Sequence, residues 1–128
     1  MGQVNPIKPT ALVVEDDVMQ REMLTLLLEE SDMSVIQCES AEAGETVLDE
    51  MGNQLSLMLT DVNLAGMMSG IQLAHIAKQR LPDLPIIVMS GAMHNAKLPD
   101  GTTFLPKPWL ALDILRAAER AQSQVKQG

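Results

Sequence analysis

Residues 11–17 read ALVVEDD, an apolar run that ends in three acidic side chains. The run lacks the alternation of polar and apolar residues typical of a half-exposed strand, so it predicts a strand covered on both faces at about residues 11–15. Three later apolar runs also end on a polar residue. They are residues 57–60, followed by Asp61; residues 86–89, followed by Ser90; and residues 104–106, followed by Lys107.

Helical patterns separate these strands. Met19, Met23, Leu26 and Leu27 recur at helical spacing after the first strand, and Asp17 is a suitable N-cap for that helix. The whole pattern predicts helices at about 17–30, 40–51, 69–81 and 108–124, and further strands at 35–36, 55–60, 86–89 and 102–105.

The starts of the later helices carry local signals. Ser40 is a predicted N-cap, and Ser69 with Gln72 three residues later has the sequence of a capping box. Pro108 is compatible with the start of the last helix, because the first helical N–H groups lack partners. The residues of that helix predicted to face inward are Leu110, Ile114, Ala117, Ala118 and Ala121.

Strands that alternate with helices predict an α/β fold, a doubly wound five-stranded parallel sheet with helices on both faces. In such sheets ligands bind beyond the carboxyl ends of the strands. The polar residues that follow the apolar runs all lie at those ends. We therefore expect Glu15, Asp16, Asp61, Ser90 and Lys107 to meet in one crevice.

Composition narrows the class of protein. The chain has 128 residues, of which 46% are hydrophobic, and a net charge of -8, which argues against nucleic-acid or anionic-membrane partners. The single cysteine, Cys38, cannot form an internal disulfide and fits a reducing compartment. We expect a cytoplasmic protein without a membrane span, with an extended N-terminal segment at 1–9 and one domain at 10–126.

The residue types at the strand ends suggest phosphoryl chemistry. Carboxylates held close together repel one another, and a hard cation such as Mg²⁺ offsets that repulsion. A carboxylate beside such a cation can attack phosphorus, while an ammonium and a hydroxyl stabilise the transferring group. Alone, the acidic triplet 15–17 is typical of an ordinary solvated helix start. Its combination with Asp61, Ser90 and Lys107 favours a phospho-acceptor site.

Four segments of the chain together resemble the receiver domains of two-component response regulators. They are Val13–Asp16, Leu59–Asn63, Met89–Gly91 and Leu105–Pro108, in this order within residues 11–124. The resemblance implies the flavodoxin-like strand order 2-1-3-4-5. It also implies a phospho-accepting role in two-component signal transduction or a phosphorelay.

The resemblance assigns roles to the acidic residues. It implies that Asp61 is the phospho-acceptor and that Asp16 and Asp61 ligate Mg²⁺, helped by the backbone carbonyl of Asn63. Glu15 is implied to act on the ion through a bound water. From the residues alone, Asp17 is assigned to helix capping and not to the metal.

Further roles and partners follow from the same resemblance. Lys107 is implied to pair with the phosphoryl group and to precede a cis bond to Pro108. Ser90 is implied to turn towards the phosphate, with Phe104 moving alongside it, although a static core position for Phe104 is equally consistent with the sequence. The implied partners are a sensor histidine kinase or a histidine phosphotransfer protein, and an unidentified downstream protein.

Two segments depart from the receiver pattern. Residues 64–69, after Asp61, are one residue longer than usual, and Met67 with Met68 there is either a partner surface or plain loop packing. Residues 91–101 hold two glycines and Pro99 and are too short for a full helix. We therefore expect a fourth helix that is shortened, mobile or missing, and signalling through another face.

The alternative function is a small Mg²⁺-dependent phosphatase or phosphotransferase that uses Asp61 as a nucleophile. Such enzymes need a second acid two residues after the nucleophile to protonate leaving groups. Asn63 occupies that position, which disfavours this alternative.

Overall fold

The structure, a computed structural model, describes residues 8–91 and 97–127, and only the backbone of residues 122 and 124–127. The strands are β1 (Thr10–Val14), β2 (Ser34–Cys38), β3 (Leu55–Asp61), β4 (Ile86–Ser90) and β5 (Thr102–Pro106). The helices are α1 (Val18–Glu30), α2 (Ala41–Met51), α3 (Gly70–Arg80) and α4 (Ala111–Gln127), with a 3₁₀ turn at Gly52–Gln54.

The five strands form one sheet in the order β2-β1-β3-β4-β5, and all four neighbouring pairs are parallel. Each face of the sheet carries its own apolar core, because the central strands present side chains to both sides. One core includes Leu12, Met58 and Leu73 and packs against α2 and α3. The other includes Leu24, Leu59 and Ile114 and packs against α1 and α4. The predicted doubly wound fold and strand order are confirmed.

The predicted helix caps are confirmed. The Asp17 carboxylate accepts a hydrogen bond from the Gln20 N–H at 2.9 Å, and the Ser40 hydroxyl accepts one from the Ala43 N–H. At the start of α3 the capping box is complete. Gln72 N–H donates to the Ser69 hydroxyl at 3.1 Å, and Ser69 N–H donates to the Gln72 side-chain oxygen at 2.8 Å. These local signals position the first turn of each helix.

Of the four residues whose spacing predicted α1, only Leu27 packs, partly buried, against the core. Met19, Met23 and Leu26 are 80%, 56% and 61% exposed, whereas Leu24 and Leu28 are fully buried against the sheet. Both stripes are apolar, so periodicity alone predicts the helix without deciding which side faces the core. We call Met19, Met23 and Leu26 the α1 apolar face.

The start of the last helix was predicted three residues too early. The Lys107–Pro108 bond is cis, as the resemblance implied, and α4 begins only at Ala111. The Leu110 N–H donates to the Asp113 carboxylate at 3.0 Å, which is the contact of a residue that precedes a helix. Leu110 is therefore exposed and not inward-facing. The other predicted inward residues are buried: Ile114, Ala117, Ala118 and Ala121.

The connection from β4 to β5 contains no helix among the residues that the structure describes. Residues 97–99 have no regular structure, and a turn at 100–101 leads into β5. The rest of the segment predicted to lack a full helix, residues 92–96, lies outside the described residues, as do residues 1–7 of the predicted N-terminal segment. Within the described residues, each helix is too short or too polar to span a bilayer.

Candidate functional site

The predicted site residues meet at the carboxyl edge of the sheet. Glu15 directly follows β1, Asp61 ends β3 and Ser90 ends β4. Lys107 directly follows β5, and its N–H donates to the Ser90 carbonyl at 2.8 Å. Because the carboxyl ends of parallel strands lie at the same edge of the sheet, residues up to 92 positions apart in sequence meet in one crevice, as for the Glu15–Lys107 pair.

Three carboxylates converge there. Glu15, Asp16 and Asp61 each place one oxygen so that the three oxygens lie within 4.8 Å of one another. Glu15 and Asp61 are buried, 1% and 7% exposed, whereas Asp16 is open to solvent. An all-oxygen donor set with one solvent-facing member fits Mg²⁺, which binds one or two carboxylates and keeps several waters.

Lys107 places its ammonium among these groups. Its Nζ donates to Asp61 Oδ2 at 2.9 Å, to Glu15 Oε1 at 3.2 Å and to Gln20 Oε1 at 2.7 Å. The Lys107 ammonium therefore offsets part of the repulsion between the buried carboxylates of Glu15 and Asp61. The sequence predicted that Glu15, Asp61 and Lys107 lie together, whereas no local pattern predicted the contact of Gln20.

The pKa values of Glu15 and Lys107 reflect the same contacts. Burial raises the pKa of Glu15, and the neighbouring charge of Asp61 adds to that rise, while hydrogen bonds from the Asp17 N–H and from Lys107 oppose it. For Lys107, burial alone would lower the pKa, but the hydrogen bond and charge of Asp61, together with Glu15, raise it overall. Lys107 therefore remains charged.

The end of β1 is held by contacts from α1. Arg21 is a buried arginine of α1, and its Nη1 donates to the Glu15 carbonyl at 2.8 Å while its Nε donates to the Gln37 side chain at 3.2 Å. The Asp17 N–H donates to Glu15 Oε2 at 3.2 Å. These bonds orient the Glu15 carboxylate from both its backbone and its side chain. Asp17 caps α1, as predicted.

Gly70 allows α3 to start directly against Asp61. A β-carbon at position 70 would lie 1.7 Å from the Asp61 carbonyl oxygen and 2.9 Å from Thr60 Oγ1. The Gly70 N–H donates to the Val62 carbonyl at 3.0 Å, which joins the start of α3 to the residue that directly follows β3. No local sequence signal distinguished this glycine from an ordinary loop glycine.

The loop after Asp61 folds back over the acidic cluster. The Asn63 N–H donates to Asp61 Oδ1 at 3.3 Å, and the Ala65 N–H donates to Asp16 Oδ2 at 3.1 Å. Two members of the cluster therefore also organise this loop. The metal contact of the Asn63 carbonyl and the water-mediated role of Glu15 stay predictions.

Glu42 at the start of α2 holds the far part of the same loop. Its Oε2 accepts hydrogen bonds from the Met67 N–H at 2.9 Å and the Met68 N–H at 3.3 Å, around Gly66 with φ of 105°. The Met67 side chain is 95% exposed, whereas Met68 packs against the core. Loop packing is therefore confirmed for Met68, whereas Met67 faces solvent and a partner surface there stays a prediction.

Acid is expected to release this loop. Hydrogen bonds from its own N–H and from Met67 lower the pKa of Glu42 from the ordinary 4.5. A lowered pKa means that its stabilising contribution is fully present above pH 4.5 and is lost as the pH falls through the folded-state pKa. We expect the Met67 and Met68 amide resonances to shift together in that range, and Glu42→Gln to shift them already at neutral pH. Glu119→Gln, on the opposite face of the sheet, is the control; equal shifts in both variants would contradict the role of Glu42.

The two residues implied to act as a switch lie on neighbouring strands. Ser90 is buried at the end of β4, and Phe104 in β5 pairs in register with Val88. Phe104 is 39% exposed, so a static core position is wrong. Its movement stays a prediction.

Comparisons with known proteins agree with this geometry. The family profile described as "Response regulator receiver domain" matches residues 11–119. The response regulator protein FleR of Pseudomonas aeruginosa is 35% identical over 114 residues, which cover 85% of this chain and 24% of FleR. A putative two-component response regulator of Arabidopsis thaliana, ARR21, is 27% identical over 99% of this chain and 21% of its own length.

The fold has close structural counterparts. The crystal structure of a CheY-like response regulator receiver domain protein from Methanospirillum hungatei superimposes with a TM-score of 0.81 at 23% identity, over 95% of this chain and 100% of that one. At that identity the likeness shows the fold alone. The chain spans about a quarter or less of the length of the two curated relatives named above. With the profile match over residues 11–119, the chain belongs to the response regulator receiver domain family.

Proposed function

We propose that Asp61 is the phospho-acceptor of this receiver domain and that Lys107 stabilises the transferring phosphoryl group. The observation that carries the proposal is the buried Asp61 carboxylate with the Lys107 ammonium at 2.9 Å and two further carboxylates beside it. A nucleophile, a charged stabiliser and a cation-binding donor set are thus in contact. Peptide mapping after exposure to Mg²⁺ and acetyl phosphate tests the proposal: phosphate is expected on Asp61, and phosphate on any other residue contradicts it.

The transfer step follows from this geometry. A carboxylate oxygen of Asp61 attacks the phosphorus of a phosphohistidine on the donor protein. The O–P bond forms as the N–P bond breaks, and the electron pair goes to the ring nitrogen. The histidine leaves as neutral imidazole because its other ring nitrogen carries a proton. Lys107 stays protonated and pairs with a phosphoryl oxygen. Asp16, Asp61 and the backbone carbonyl of Asn63 would hold Mg²⁺, with Glu15 acting through a bound water, and the ion would supply further positive charge to the phosphoryl oxygens.

Ser90 and Phe104 then connect the site to the surface. Ser90 stands one strand away from Asp61, and Lys107 is bonded through its backbone to the Ser90 carbonyl. A new phosphoryl group at Asp61 gives the Ser90 hydroxyl a charged acceptor, so the end of β4 shifts towards the site. Phe104, half-exposed on the adjacent strand, follows that shift and changes the surface presented to the downstream protein.

The phosphoryl donor is a sensor histidine kinase or a histidine phosphotransfer protein, which contacts the α1 apolar face. This face adjoins the site, since Gln20, the next residue after Met19, reaches Lys107 with its side chain. Three large apolar side chains in solvent on one helix are typical of a protein contact surface.

Met23→Lys is expected to slow transfer from a phosphotransfer protein by roughly tenfold or more, because a charge enters the apolar contact. Phosphorylation by acetyl phosphate is expected to stay unchanged, since the small donor needs no docking surface. Gln79→Lys, an exposed residue of α3 with the same change in charge, is the matched control. Equal slowing with both donors would place the effect in the site and not in docking.

The receiver domain family is a signalling family, and we propose that this chain does not act as a turnover phosphatase. The residue two positions after Asp61 is Asn63, which cannot donate a proton as a general acid. Sustained Mg²⁺-dependent release of phosphate from a phosphomonoester such as p-nitrophenyl phosphate, lost in Asp61→Asn, would favour the enzyme instead.

A further inference from the structure

Gln20 holds the ammonium of Lys107 more closely than either carboxylate does. The Lys107 Nζ lies 2.7 Å from Gln20 Oε1, against 2.9 Å to Asp61 Oδ2 and 3.2 Å to Glu15 Oε1. An ammonium has three hydrogens, and these three acceptors account for all of them. The contact joins α1 to the segment after β5 across 87 residues of sequence.

The Gln20 side chain makes this contact instead of the one that its position in the helix favours. Gln20 is the third residue of α1 after the Asp17 N-cap, as Gln72 is the third residue of α3 after the Ser69 N-cap. Gln72 closes its capping box by accepting the Ser69 N–H at 2.8 Å. In α1 the corresponding Asp17 N–H donates to Glu15 Oε2.

The chain therefore contains an internal comparison. Two helices begin with an N-cap residue and a glutamine at the same spacing, and only one glutamine serves its own helix. The Asp17 N–H donates to the Glu15 carboxylate, and the Gln20 side-chain oxygen accepts a hydrogen bond from Lys107 instead. The Gln20 N–H donates to the Asp17 side-chain carboxylate at 2.9 Å, and this bond fixes the backbone position from which the Gln20 side chain extends.

A neutral acceptor suits this position chemically. Lysine is a flexible chain that carries a point charge, so its ammonium needs anchoring to stay at one place in the site. A third carboxylate would anchor it but would also add negative charge where a phosphoryl donor must approach the buried Glu15 and Asp61 carboxylates. An amide oxygen anchors the ammonium and leaves its charge available.

We propose that Gln20 is a positioning residue of the phosphoryl-transfer site, which holds the Lys107 ammonium next to Asp61 without neutralising it. The proposal rests on the proposed function of Lys107. When Asp61 accepts the phosphoryl group, the hydrogen that Lys107 gives to Asp61 Oδ2 passes to a phosphoryl oxygen, and the bond to Gln20 keeps the ammonium in place during the exchange.

Two measurements on Gln20→Met and Gln20→Glu test this proposal. The first is the ¹⁵N-detected resonance of the Lys107 NH₃⁺ group in the protein without phosphate or Mg²⁺, where slow hydrogen exchange reports a fully bonded ammonium. We expect the signal in wild type and in Gln20→Glu, and its loss through fast exchange in Gln20→Met, which has a side chain of similar length without a strong acceptor.

The second measurement is the rate of phosphorylation by acetyl phosphate. Gln20→Met is expected to slow it by roughly tenfold, the effect of losing one hydrogen bond to a charged group. Gln20→Glu is expected to slow it as well, although it keeps the anchor, because the added charge repels the donor. We expect the Lys107 resonance to be lost in Gln20→Met alone and phosphorylation to be slower in both variants. That result would separate the anchoring of the ammonium from the effect of the added charge.

Gln72→Met is the matched control, with the same residue at the same helix position. It is expected to lower the midpoint of thermal unfolding through the lost capping box, while the Lys107 resonance and the phosphorylation rate stay unchanged. An unchanged Lys107 resonance in Gln20→Met would overturn the proposal. Failure of wild type to accept phosphate would instead overturn the proposed function, since the resonance tests the Gln20–Lys107 contact independently.

Discussion

Asp61→Asn is expected to abolish phosphate acceptance by this chain. An amide oxygen is a poor nucleophile, and no other carboxylate of the cluster is paired with Lys107 at so short a distance as the 2.9 Å of Asp61. The free energy of unfolding is expected to change by less than about 2 kcal/mol, because the lost ion pair is offset by relief of repulsion with Glu15. The loss of phosphorylation is therefore chemical and not a loss of the fold.

Trp109 makes the result measurable without a radioactive label. It is the only tryptophan, lies two residues past Lys107 and packs half-buried against the core under α1 and α4. In wild type we expect its fluorescence to respond to Mg²⁺, and again to acetyl phosphate or to beryllium fluoride. The second response should be absent in Asp61→Asn.

The control for this experiment removes the charge of a nearby carboxylate that is not part of the cluster Glu15, Asp16 and Asp61. Asp17→Asn keeps an effective N-cap, because asparagine caps helices about as well as aspartate, and it lies outside the donor set. It should retain both fluorescence responses. Phosphate retained on Asp61→Asn, or lost equally in Asp17→Asn, would contradict the assignment of the acceptor.

Gly70→Ala is expected to damage both stability and phosphate acceptance. The new β-carbon would lie 1.7 Å from the Asp61 carbonyl oxygen, and both the strand end and the helix start must move to relieve the clash. We expect the free energy of unfolding to fall by about 3 kcal/mol, at the upper end of the cost of overpacking a rigid site. Urea unfolding and acetyl phosphate uptake measure the two effects.

Gly91→Ala is the matched control for Gly70→Ala. Among the residues that the structure describes, a β-carbon at position 91 would meet only the β-carbon of Lys107, at an ordinary 3.8 Å, although this glycine also adjoins the site. We expect a change in stability of less than about 0.5 kcal/mol. A Gly70→Ala protein as stable and as active as Gly91→Ala would show that α3 does not depend on close approach to Asp61.

The Ser69–Gln72 capping box illustrates what local sequence predicts well. Both of its bonds lie within four residues, so they form in any structure that contains the helix. The site edge was predictable for a different reason. In a parallel sheet, every strand that ends in a polar residue delivers it to the same side, so the runs before Asp61, Ser90 and Lys107 predicted the crevice without knowledge of any contact.

Periodicity could not predict which face of α1 is buried. Leu24 and Leu28 form one apolar stripe, and Met19, Met23 and Leu26 form another. Which stripe is buried depends on how the helix docks on the sheet. The early start predicted for α4 has a similar cause, since the contact of Leu110 with Asp113 and the chain direction after Lys107 decide where the helix begins.

The sequence by itself determined the order of elements, the caps and the residue types at the carboxyl edge, because these depend on local propensity and on the alternation of strands with helices. The tertiary structure alone decided that Gln20 reaches Lys107, that Glu42 holds the loop after Asp61, and that Gly70 must lack a side chain. Each of these is a contact between segments separated by 9 to 87 residues, and neither partner carries a local pattern that names the other.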